Sequence, residues 1–149
     1  MKHNRILTSL ILTVLLAGLL LTACAAGPKV EAVEGADREA VLAYSEAMAD
    51  NLLAGMNAGD YAAFSRDFTA DMKKAMPESS LAGMKTSITD KIGAYVSREV
   101  DRVEKVGEYY RVLYKGKFEQ DDAVQMLLTF TMSEPHQVAG LFFTSDKLK

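Results

Sequence analysis

Residues 95–144 read YVSREVDRVEKVGEYYRVLYKGKFEQDDAVQMLLTFTMSEPHQVAGLFFT. Apolar and polar residues alternate through most of this stretch, the pattern of strands with one buried and one wet face. From Tyr95 to Val106, the β-branched Val96, Val100, Val103 and Val106 are separated by charged residues. Gly107-Glu108 reads as a turn. Tyr110, Val112, Tyr114 and Phe118 then line one face, with Arg111, Lys115 and Lys117 on the other. Gln120-Asp121-Asp122 is a second turn. Val124, Met126, Leu128, Phe130 and Met132 alternate with Gln125, Thr129 and Thr131. Ser133-Glu134-Pro135-His136 is a third turn, and Val138 to Thr144 the last strand. Turns this short join antiparallel neighbours, because a parallel pair needs a long crossover. The expectation is a meander of four antiparallel strands.

The residues before the meander carry a different period. Asp37 is placed to cap a helix whose apolar face is Val41, Tyr44, Met48, Leu52 and Met56, at three- and four-residue spacing. Gly59 suits the left-handed position after a helix, and Asp60 can cap the next. Tyr61, Phe64 and Phe68 form the face of a shorter helix, and Thr69 is placed to cap a further turn through Met72 and Met76, closed by Pro77. A third helix starts at Ser79 or Ser80 and presents Leu81, Met84, Ile88 and Ile92. Helices followed by hairpins define an α+β domain, three N-terminal helices packed on one face of a four-stranded antiparallel sheet.

The N-terminus has the parts of an export signal. Lys2, His3 and Arg5 form a basic start, Ile6 to Leu21 is an uncharged leucine-rich run, and Thr22 and Ala23 are small. The only cysteine follows. Leu21-Thr22-Ala23-Cys24 resembles a bacterial lipobox, and the resemblance implies cleavage after residue 23 and acylation of Cys24. An uncleaved spanning helix is the alternative, but about 20 apolar residues are needed to cross a bilayer and the run falls slightly short, with no stop-transfer charges behind it. Ordinary cleaved secretion is the third reading. The basic start places the rest of the chain outside the cytoplasm. A lone thiol in a secreted domain has no internal disulfide partner, and acylation accounts for it. The expected organisation is a signal peptide over 1–23, a lipidated cysteine and tether over 24–36, and one folded domain over 37–149. The tether Ala25 to Ala36 contains Gly27, Pro28 and Gly35 and shows no helical period.

Once the leader is set aside, 15 basic and 20 acidic residues remain, a net charge of −5. That balance excludes the basic stripe of a nucleic-acid binder and general attraction to anionic lipid. A single histidine, His136, remains beyond the leader, in a hairpin turn where a solvated place is expected. No Cys/His or Ser/His/Asp set can be assembled from these residues, and zinc sites draw on several His and Cys ligands. No catalytic, metal or cofactor site is therefore expected. Glu99, Asp101 and Glu104 alternate with Arg98, Arg102 and Lys105 and read as cross-strand pairs on a wet face. They would acquire acid/base meaning only if Glu99 or Asp101 pointed inward. Tyr44, Phe64, Phe68, Tyr95, Tyr110, Tyr114, Phe130 and Phe142 can reach the space between helices and sheet. Of these, Tyr44, Phe64, Phe68, Tyr95, Tyr114 and Phe130 are the candidate ligand-lining residues, with core packing as the plain alternative.

The segment Ala58-Gly59-Asp60-Tyr61-Ala62-Ala63-Phe64 resembles the small-Gly-Asp-Tyr-x-x-Phe link between the first two helices of the nuclear-transport-factor-2-like superfamily. Leu81 through Gly93-Ala94-Tyr95, with the meander ending Val138-Ala139-Gly140-Leu141-Phe142-Phe143, is similar to the domain-of-unknown-function 3887 family within it. The likeness runs from about Ala40 to Phe143. It implies a curved sheet wrapped around the long helix, with a pocket at the open end, and implies no particular activity. The expected function is a membrane-tethered binding module for a small apolar or amphipathic ligand or a peptide. The alternative is an interaction module that pairs with a partner or a second copy through Leu113, Leu127 and Leu141 on the outer sheet face, and a pocket enzyme is the third reading.

Overall fold

In the computed structural model, residues 27–149 are described. The segment read as an export signal, Cys24 and the start of the expected tether lie outside them. Among the described residues no helix is long and apolar enough to cross a membrane.

The first helix, α1, runs Gly35–Ala58. Alanine, leucine, methionine and glutamate dominate it, all strong helix formers. It buries Val41, Ser45, Ala49, Leu52, Leu53 and Met56, the three- and four-residue spacing expected. It begins two residues before Asp37, which sits in the first turn rather than at the cap. Gly59 ends it at φ 72°, and the Asp60 N–H donates to the Gly55 carbonyl at 2.9 Å, the closing bond of a helix stop built on a left-handed glycine. Asp60 then accepts from the Ala63 N–H at 3.1 Å and caps α2, Tyr61–Phe64. Gly55 permits this tight corner, because a Cβ there would lie 2.3 Å from the Phe64 nitrogen.

The helix expected through Phe68 stops at Phe64. Phe68 instead bridges Val138 in parallel, with the Val138 N–H on the Asp67 carbonyl and the Thr69 N–H on the Val138 carbonyl. Thr69 accepts from the Met72 N–H at 3.1 Å and starts a separate helix, α3, Ala70–Ala75. With α4, Glu78–Ile92, there are four helices rather than three among the described residues. A backbone bond to a strand seventy residues away decided this, and no local spacing encodes it.

Among the described residues five strands, not four, form one antiparallel sheet in sequence order: β1 Val30–Ala32, β2 Tyr95–Val106, β3 Tyr109–Phe118, β4 Asp121–Thr131 and β5 Val138–Thr144. The extra strand comes from the stretch read as tether and pairs Val30 with Val106 and Ala32 with Glu104. At three residues it is too short to show a period. The helices cover the inner face, where Val103, Val112, Tyr114, Phe118, Val124, Met126, Leu128, Phe130 and Val138 pack with Leu52, Leu53, Phe64 and Ile92.

Irregularities in the register reset which residues face inward. On β2 they fall between Tyr95 and Ser97 and between Val100 and Arg102. They explain the uneven four- and three-residue spacing of its valines and leave Val96 half exposed. On β5 the shift opposite Thr129 and Phe130 sets Leu141 against Leu128 and Phe142 against Leu127. Leu141 therefore packs on the core, not on the outer face, and Phe142 stands outside, 61% exposed, instead of reaching the space under the helices.

Candidate functional site

The six candidate lining residues spread along the whole length of the domain. Phe64, Phe68, Tyr114 and Phe130 are fully buried. Phe64 and Phe68 meet edge to face at 5.0 Å. Tyr95 lies at the far end, edge-on to Phe118 at 5.7 Å, with its backbone held on both sides by the Asn57 side chain. Tyr95 borders a narrow crevice beside Asn57, and Tyr44 opens onto a roomier hollow. Its neighbour Phe130 backs it at 6.1 Å.

That hollow has a volume of about 230 Å³ and is lined by Asp37, Ala40, Val41, Tyr44, Tyr110, Met132 and His136. Helical spacing brings Asp37, Ala40, Val41 and Tyr44 to one face of α1, and the return of the chain after β4 brings His136 over them. The His136 ring is not a solvated turn residue. It is half-buried and stacked on Tyr44 at 3.9 Å and 13°. Its Nδ1 lies 3.1 Å from the Thr131 carbonyl. A carbonyl only accepts, so in this contact Nδ1 carries the proton. The Tyr44 hydroxyl is buried with no hydrogen-bond partner. Burial pushes its pKa up to about 12, with Tyr110 adding to the shift, so the phenol stays neutral and can donate or accept. A second hollow of about 430 Å³ adjoins the first across Met132, lined by Lys105, Gly107, Glu108, Tyr109, Thr131 and Ser133. Together they form an aromatic and methionine recess at the end of the sheet where β2 turns into β3. A third hollow, about 510 Å³ between Gly59, Tyr61 and α4, offers less, because the Tyr61 hydroxyl is already bonded to the Met76 carbonyl at 3.0 Å.

Beneath the middle of α1 lies a second polar group, centred on Arg98. The shift at the start of β2 turns Arg98 inward, opposite Gly116, and Glu99 outward, opposite Lys115. The guanidinium donates to Asp50 at 2.5 Å and to Glu46 through both its carboxylate (3.2 Å) and its carbonyl (3.1 Å). It lies 5.1 Å from the centre of the Tyr114 ring, within cation–π range. Burial works to lower its pKa, but the bonds to Asp50 and Tyr95 and the charge of Glu46 outweigh it, so the group stays charged. Ser45 Oγ, Tyr114 Oη, Glu46 Oε1 and Arg98 Nε are buried there without partners. Burial, followed by the Glu46 charge, raises the Tyr114 phenol, so it too is neutral.

The acids on β2 keep to the wet face. Asp101 pairs with Arg102 and Lys115, and Glu104 with Arg102 and Arg111. Like Leu141 and Phe142, His136 and Arg98 lie where sequence reading did not place them. Broken valine spacing on β2 is the signal that would have turned Arg98 inward, whereas nothing local signals that His136 meets Tyr44.

A long helix laid over an antiparallel sheet, with its recess at one end, defines the class as an α+β helix-on-sheet domain. Residues 49–141, more than half of the chain, match the family described as Protein of unknown function (DUF3887). The chain belongs to this family. No curated protein and no solved structure matches it.

Proposed function

We propose that this chain is a membrane-anchored extracytoplasmic lipoprotein, held by lipid on Cys24, with a cone domain of the nuclear-transport-factor-2-like kind. The domain binds a small apolar or amphipathic molecule, or a peptide, in the recess between Tyr44, Tyr110, Met132 and His136, without chemical conversion. The observation that carries the reading is the Tyr44 hydroxyl, buried and unpartnered beside an open hollow. A buried phenol normally finds a partner, and a ligand with an apolar body and one polar group supplies it. Methionine beside aromatic rings adapts to ligands of varied shape.

Mass spectrometry of the protein purified from its native membrane tests both parts. The expected result is an acylated Cys24 and a retained small molecule that Tyr44→Phe and His136→Ala reduce. An unmodified Cys24 sinks the anchor, and an empty recess in protein from every growth condition sinks the ligand.

A second reading rests on the outer sheet face. Leu113, Leu127 and the exposed Phe142 lie side by side across β3, β4 and β5, and exposed apolar rows mark partner surfaces. On this reading the domain pairs with a second copy or another protein through the sheet. A Phe142→Ser variant that changes the sedimentation of the domain favours it over the recess.

A further inference from the structure

The tether leaves the domain at the recess. β1 pairs Val30 with Val106, and Gly107, Glu108 and Tyr109 of the adjoining turn line the larger hollow. Because Val30 to Ala32 is locked onto β2, only six residue steps of chain separate Cys24 from the sheet. Six residues reach about 20 Å when fully extended, half the span that an unpaired tether to Ala36 would have. An acylated Cys24 therefore keeps this end of the sheet close to the bilayer.

The surface there suits that place. Val30, Val106 and Tyr109 are direct register partners across three neighbouring strands, so their side chains share one face. Val30 is 53% and Tyr109 44% exposed. Tyrosine favours the headgroup level of a bilayer, where its ring is buried and its hydroxyl wet. Charges at this end are mixed and lean acidic: Lys29 and Lys105 stand against Glu31, Asp37, Glu108 and Glu134, which fits a zwitterionic surface better than an anionic one.

We propose that the domain rests recess-down on the zwitterionic lipid surface that holds its anchor, with Val30 and Tyr109 at the headgroups. The larger hollow, which Tyr109 rims, then opens toward the leaflet and meets the Tyr44 hollow at Met132, so an amphipathic ligand arrives from the bilayer without crossing water. The proposal rests on the Cys24 anchor.

The test uses the full acylated chain in phosphatidylethanolamine/phosphatidylcholine vesicles containing brominated lipid. Cys24 is capped by its lipid, so a single introduced cysteine accepts a fluorophore: Tyr109→Cys at the recess end, or Val96→Cys, which is also exposed and about 30 Å away along β2. Circular dichroism establishes that both variants are folded. The expected result is several-fold stronger quenching at position 109 than at 96. Equal or reversed quenching on vesicle-bound protein overturns the orientation while leaving the anchor standing. If instead the protein floats free of vesicles, or Cys24→Ala stays as firmly bound as the parent chain, the anchor reading fails and the orientation falls with it.

Discussion

Replacing Glu46 with Gln and Asp50 with Asn strips Arg98 of both counter-ions while preserving side-chain size. The Arg98 side chain is 8% exposed, and Glu46 and Asp50 are 40% and 71% exposed. Breaking a buried pair from one side typically costs 3–5 kcal/mol, because a charge is left in low dielectric. Here the guanidinium keeps the Glu46 carbonyl, the Tyr95 hydroxyl at 3.3 Å and the Tyr114 ring, so about 2–4 kcal/mol is expected. For a domain of this size that lowers Tm by roughly 10 °C. Arg98→Met alone costs less, because both acids reach water at the helix edge. Adding Arg98→Met to the Gln/Asn pair should recover much of the loss, since no unpaired charge then remains inside. Thermal and urea denaturation of the four proteins read this out as a coupling energy. A Gln/Asn pair within about 0.5 kcal/mol of the parent, or a triple variant no more stable than the double, would refute the view that these ion pairs hold α1 on the sheet.

Gly55→Ala drives a Cβ into the Phe64 backbone and should destabilise the domain by about 2–4 kcal/mol, visible in urea melts, whereas Gly83→Ala, on open surface of α4, should be neutral or slightly stabilising. Tyr114→Phe removes a buried hydroxyl that has no partner and should leave stability unchanged or raise it by up to about 1 kcal/mol; a clear loss would mean that the hydroxyl is bonded through an internal water. The acid limb of stability should reflect Asp121 and Asp101. Hydrogen bonds from Ser145 and the Ala123 N–H hold Asp121 below the ordinary aspartate value, and Lys115 and then Arg102 do the same for Asp101. A carboxyl lowered in the folded state stabilises above its unfolded pKa and loses that contribution as pH falls through the folded value, so stability should be flat from neutral pH to about 4 and decline below it. Ser145→Ala should flatten part of that decline in pH-dependent melts.

Much of the fold was legible because it depends on local chemistry. Gly59 and Asp60 were readable as a stop and a start because a left-handed turn needs glycine and an exposed N–H needs an acceptor, and both appear as expected. The hairpins of the meander were legible because the two-residue period and short turns leave antiparallel pairing as the simplest solution. What escaped local reading was set by register and distant partners. Phe68 ended its helix to bridge Val138, Val30–Ala32 became a strand only because the β2 edge was there to pair with, and extra residues in β2 and β5 exchanged inside for outside at Arg98, Leu141 and Phe142.

The sequence by itself determined the α+β class, the order of helices and hairpins, the acidic balance and the supply of aromatic residues, because composition and period act through neighbours a few residues apart. Tertiary structure alone decided which aromatic side chain faces a hollow. Tyr44 and His136 are separated by ninety-two positions and meet only when β4 turns back over α1. Side-chain burial is a property of the folded sheet and its register, and one extra residue in a strand is enough to reverse it.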